Sequence, residues 1–364
     1  MDTTNAVRHW NNWFPKDQES FELTAVEEQF IAASIGTERR NWVGTPDIGR
    51  MEAILADEPD VLDRIGSVLL HRLLLNRTGC GPAVKFVMDH GITLDLDPTE
   101  YNNFFDAVYM GAMDVAKTVF ESGQVDATGV SVLKPHVGWP DNTSMLFWAA
   151  TSGHVDMIKL LLQYGAGIHH ELPIKGWGEK GSTSLQVAVA PGWSEEEQPK
   201  KHEVARVLIE DGAYYDVYSA CGLNDTDRLL ELIDEDAEIV DATDDYGMTP
   251  LHWAARAGSM ECAEMLLSRG ALVNPLNKAR RTPLQLATET NRADVIRLLA
   301  RHGADLNTQD RKGRTPLHRA TYEGCVEAAE ALLEAGADPT VPNKNGKTAF
   351  QIARKDAKYF KQRA

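Results

Sequence analysis

The side chains best suited to chemistry in this chain are three histidines and a tyrosine: His136, His169, His170 and Tyr109. An imidazole exchanges protons near neutral pH and ligates metals, so these residues are candidates for acid–base work. His169 and His170 are neighbours in IHHELPIKGWGEKGST, residues 168–183. On an extended stretch adjacent side chains point to opposite sides, which hampers joint chelation. A solvated loop tip is the better expectation, and no metal site is assigned. Around these histidines a Gly-Trp pair occurs three times, at Trp139, Trp177 and Trp193. An exposed indole serves as a stacking platform for an aromatic ligand or as an anchor for a partner. The same ring also serves to pin its own long loop onto the body of the protein. No G-x-S-x-G, P-loop, G-x-G-x-x-G or H-E-x-x-H occurs, so no catalytic residue is assigned and no cofactor is implied.

The bulk composition narrows the field. The 364 residues are 43% hydrophobic and 25% charged, ordinary for a folded chain and unlike a disordered one. A formal net charge of −17 argues against a nucleic-acid or anionic-membrane surface, which needs Lys and Arg to dominate locally. Cys80, Cys221, Cys262 and Cys325 are far apart and form no CxxC pair. That usage fits a reducing compartment, and a cytoplasmic or nuclear location is expected. No leader-like apolar run opens the chain, and no run approaches ~18 apolar residues.

These residues must be positioned by something, and the C-terminal third shows what. TPLHWAA, TPLQLAT, TPLHRAT and TAFQIAR begin at Thr249, Thr282, Thr315 and Thr348, every 33 residues. After the first three comes a second helical stretch closed by glycine: AEMLLSRGALVN, VIRLLARHGADLN and AEALLEAGADPT. Thr and Pro open the first helix, paired small residues let neighbouring helices approach, and Leu266 and Leu267 supply apolar burial. Gly270 ends the second helix. The pattern strongly resembles the ankyrin repeat, whose signature includes T-P-L-H-x-A at this period. The resemblance implies an all-α solenoid of helix–turn–helix units with short β-hairpin fingers, stacked because one unit cannot bury its own apolar face. It also implies that His252 and His318 bond between neighbouring fingers. Trp148 and Trp253, just before the paired alanines, are expected in the core.

The pattern weakens towards the N-terminus but persists in LFWAATSGHVDMIKLLLQYGAG (146–167), FFDAVYMGAMDVAKTVFESG (104–123) and LLNRTGCGPAVKFVMDHG (74–91). Nearly the whole chain thus reads as one array of about nine or ten units. Residues 1–24 are expected to cap it. Degenerate repeats follow over 25–142, repeats with insertions over 143–244, and regular repeats with a C-terminal cap over 245–364. The alanines 107, 149, 188, 220, 254, 287, 320 and 353 should be equivalent. Ala107 to Ala149 is 42 residues and Ala149 to Ala188 is 39, so both intervening fingers carry insertions. The next insertion, APGWSEEEQPKKHEVA (190–205), falls between two helices.

In the ankyrin fold inner helices line a groove flanked by fingers and inter-helix loops. The resemblance therefore implies recognition of a protein partner through that groove, and the inserted loops place the surface in the middle repeats. The residues expected there are Trp139, Trp177, Trp193, Tyr109, Met110, Thr151 and Ser152. In the regular units the equivalent positions include Arg256, Glu289 and Tyr322, which are expected only to support the array. The competing reading is a cyclase- or isomerase-like enzyme, or a binder of an aromatic or polycyclic small molecule, in a pocket walled by the Trp loops.

Overall fold

The computed structural model describes residues 23–35, 45–75, 79–94, 103–125, 127, 144–169, 183–190 and 198–352. The expected N-terminal cap lies almost wholly outside them. The chain divides into two compact units, Met1–Pro173 and Ile174–Ala364.

The first unit holds α1 (Ala25–Ile35), α2 (Ile48–Asp57), α3 (Val61–Leu75), α4 (Gly81–Asp89), α5 (Asn103–Tyr109), α6 (Met113–Glu121), α7 (Met145–Ser152) and α8 (Val155–Gln163). Helix α3 packs on α5 and α5 on α7, while α4 packs on α6 and α6 on α8. Two layers result, with the apolar core between them. Ala107 and Ala149 are buried on the adjacent helices α5 and α7, as their register requires.

The second unit holds α9 (Ser184–Val189), α10 (Gln198–Glu210), α11 (Val217–Leu223), α12 (Thr226–Glu235), α13 (Pro250–Ala257), α14 (Met260–Ser268), α15 (Pro283–Glu289), α16 (Ala293–Arg301), α17 (Pro316–Glu323) and α18 (Val326–Glu334). First helices stack in the order α9, α11, α13, α15, α17, each on the next, and α12, α14, α16 and α18 form the second layer. Ala188, Ala220, Ala254, Ala287 and Ala320 are all buried along the first layer. Ala353 lies outside the described residues.

The local chemistry explains the regularity. Thr249, Thr282 and Thr315 cap their helices, and Pro at the next position lacks the N–H that the first turn would orphan. His252 Nδ1 accepts the Thr249 N–H at 3.0 Å, which leaves Nε2 to donate to the Arg281 carbonyl of the next finger at 2.9 Å. His318 repeats the arrangement with Thr315 and the Lys347 carbonyl. Gln285, in the same position, keeps the bond to its cap but takes a different second partner: its oxygen accepts from Thr282 N–H, and its nitrogen donates to Thr308 O, two residues before the next finger, each at 3.1 Å. Trp148 and Trp253 are buried, and Trp253 Nε1 donates to Asp244 Oδ2 at 2.8 Å.

The fingers differ from the expected β-hairpins: no strand forms among the described residues. Each finger of the regular repeats is a turn opened by Asp or Asn, at 244, 277, 310 and 343. The opening residue's backbone N–H donates to a carbonyl four residues on, as Asp310 does to Arg314 at 2.9 Å. Its side chain caps the turn: Asp310 Oδ1 accepts the N–H groups of Lys312 and Arg314. Five residues leave room for one such pair and no ladder, so a turn replaces the strand.

Neighbouring fingers touch through backbone. Lys344 N–H donates to Lys312 O at 3.1 Å, and a Cβ on Gly313, at φ +72°, would lie 2.8 Å from Lys344 N. Gly270, at φ +89°, has open space around it. Gly270→Ala should therefore cost only the left-handed penalty, about 1–2 kcal/mol. Gly313→Ala should cost distinctly more, and urea unfolding of the two variants side by side checks the order.

Candidate functional site

Of the seven positions expected in the middle repeats, the structure describes four, and of the candidate histidines it describes His169. Tyr109 ends α5 half-buried, and its ring meets Trp148 of α7 edge-on, 5.7 Å between centroids. Such an edge-to-face contact fixes the tyrosine ring on the neighbouring first helix. Met110 follows it, also half-buried, its N–H closing the helix on Asp106 O at 2.8 Å. On α7, Thr151 Oγ1 donates to Phe147 O and Ser152 Oγ to Trp148 O, both at 2.9 Å. The hydroxyls thus spend their protons on their own helix and present acceptor lone pairs. Gly153 then ends the helix at φ +74°. Because α5 and α7 pack together, these four residues share the C-terminal ends of adjacent first helices. His169 is exposed beyond α8. Trp139, Trp177, Trp193, His136 and His170 lie outside the described residues. Among the described residues no three His, Cys, Asp or Glu side chains gather to hold a metal ion. No described helix is long and apolar enough to cross a membrane.

A second constellation sits on the regular repeats, where the sequence reading expected only support. Glu289, at the end of α15, holds Arg281 on one side and Arg319 of α17 on the other, the latter at 3.1 Å. Arg314 clamps Asp310 with its ε and η nitrogens at 2.8 and 2.7 Å. Burial alone would raise the Asp310 carboxyl, but Arg314 and the backbone N–H groups outweigh it and hold the group below its ordinary range. Arg256, at the end of α13, is largely buried. Burial lowers its guanidinium from its ordinary value, Arg281 adds to that, and Glu289 opposes it. No carboxylate lies within ion-pair distance of Arg256 among the described residues. Arg281, Arg314, Arg319, Glu289 and Asp310 line a small cleft with room for about one water-sized group. The signal was present in the finger sequences NKARR, DRKGR and NKNGK, but the overall acidity masked it.

Comparison with known proteins agrees with the repeat geometry. Residues 271–343 match the family model described as ankyrin repeats in three copies, while 246–278 and 141–170 each match an ankyrin repeat. Inversin of Gallus gallus is 39% identical over 66 residues, which is 18% of this chain and 6% of that protein. Scaffold protein ILK of Homo sapiens is 34% identical over 63 residues, 17% of this chain and 14% of that protein, and the Cavia porcellus protein of that name is 33% identical over 63 residues. The shared segments are thus a small part of the curated relatives' lengths.

Proposed function

Because this chain is an ankyrin-repeat protein, we propose that it is a binding scaffold that recognises a protein partner at the groove face of its middle repeats. Repeats of this kind interact through surfaces built on a rigid stack and carry their specificity in side chains grafted there. The observation that carries the location is the half-buried set Tyr109, Met110, Thr151 and Ser152 on adjacent helix ends. Successive insertions bearing Trp139, Trp177 and Trp193 follow in the same stretch of sequence. An aromatic ring, a thioether and hydroxyl acceptors side by side suit a peptide backbone and its apolar side chains. The match to a protein named a scaffold supports the same class of action. Four cysteines far apart in the sequence, with no CxxC pair, support a reducing compartment.

The test uses alanine variants of Trp139, Trp177 and Trp193, with partners captured by the parent chain. Truncating a buried aromatic anchor should lose about 2 kcal/mol or more of binding, with a smaller change in melting. If the indoles only pin their loops, melting falls and binding follows the folded fraction. Full binding by all three, with the fold intact, rules out these loops as the site.

A further inference from the structure

The last three fingers are basic in a chain that is otherwise acidic. They carry the exposed cations Lys278, Arg280, Arg311, Lys312, Lys344 and Lys347, with Arg281 and Arg314 turned to the cleft. Asp310 is the one acid in these three turns, and Arg314 already neutralises it. Backbone bonds from Lys278 N–H to Tyr246 O and from Lys344 N–H to Lys312 O tie these fingers to the ones before them, which sets the cations in a row along one edge. Arg256 and Arg319 extend the row onto the first helices, and Tyr322, 47% exposed, stands one turn after Arg319. The stripe ends at the preceding finger, which opens with Asp244 and Asp245.

From this placement we infer that the fingers and first helices of the last three regular repeats bind an acidic peptide segment of a partner protein. The side-chain balance of the cleft leaves positive charge unspent. Glu289 is shared by Arg281 and Arg319, Arg319 also reaches Glu323 at 3.8 Å, and Arg256 beside them has no carboxylate of its own among the described residues. A largely buried guanidinium gains most from an incoming carboxylate, because water screens it least. The cleft itself is only water-sized, so an incoming Asp or Glu carboxylate pairs at its rim, with the peptide lying across Tyr322. The net charge of −17 favours a short acidic segment over a long polyanion, since the remaining surface repels what extends past the stripe. Its residues are distinct from those of the middle repeats, so variants in the Trp loops and variants here test the two readings separately.

The probe is a fluorescent Asp/Glu-rich peptide of about twelve residues, long enough at ~3.3 Å per residue to cross three repeats. Anisotropy with the full chain should show binding that weakens as salt shortens the screening length. The counterpart with Asn and Gln in place of the acids should not bind. Reversing Arg311, Lys312 and Lys344 to Glu together should lower affinity about tenfold or more, because steering and pairing both invert. Arg256→Gln with Arg319→Gln should weaken binding independently of the finger tips, with melting of both variants followed in parallel. Equal binding of the acidic and amide peptides overturns the inference. So does undiminished binding by either folded variant, or tighter binding of a phosphopeptide or a single-stranded oligonucleotide of equal charge.

Discussion

Acidification from about pH 7 to about pH 4 should cost the second unit roughly 3 kcal/mol through His252 alone. The imidazole is fully buried between Thr249 and the Arg281 carbonyl, and burial lowers its pKa from 6.5 to about 4. The folded state therefore excludes a proton that the unfolded chain takes up. Stability from this group is complete above the unfolded value near 6.5 and is lost as pH falls towards about 4. His252→Gln isolates the effect. Gln285 shows that an amide at this position bonds both the capping threonine and a backbone carbonyl of the next repeat, there Thr308 O. The variant should match the parent near pH 7 and lose the His252 share of the acid slope. Urea titrations at several pH values decide it, and identical pH dependence in both proteins would refute the assignment.

Leu299→Ala should destabilise the second unit by about 2–5 kcal/mol, because a fully buried leucine leaves a cavity that a stacked layer cannot close. Leu299 lies on α16, between α14 and α18. Leu267 on α14 keeps 8% of its surface exposed, so Leu267→Ala should fall at the lower end of that range. Losses well under about 1 kcal/mol at both positions would mean that the second layer is not packed as described. Neighbouring repeats within this unit share the interface, so the transition should also lose cooperativity as the stack is cut.

The array itself was legible in the residues. A capping Thr, a Pro lacking an N–H, a small residue at the close contact and a leucine pair are each demanded by a local constraint. Those constraints repeat every 33 residues, so register and burial of Ala254, Ala287 and Ala320 follow from counting alone. The roles of His252 and His318 were legible for the same reason, since the motif that caps a helix also points the ring at the next finger. The fingers were read one step too far: a β-hairpin needs a ladder, and only the three-dimensional spacing showed one backbone pair per turn.

What the tertiary structure alone decided is the charge on the regular repeats. Arg256, Arg281, Glu289, Arg314 and Arg319 span more than sixty positions, and in a chain of net charge −17 each reads as an ordinary surface residue. Stacking places the end of one first helix beside the next finger, so these side chains compete for three carboxylates, Glu289, Asp310 and Glu323. Local propensity and periodicity act over a few residues and are written in the order of the chain. An electrostatic field sums over distance in space, and that distance exists only once the repeats have stacked.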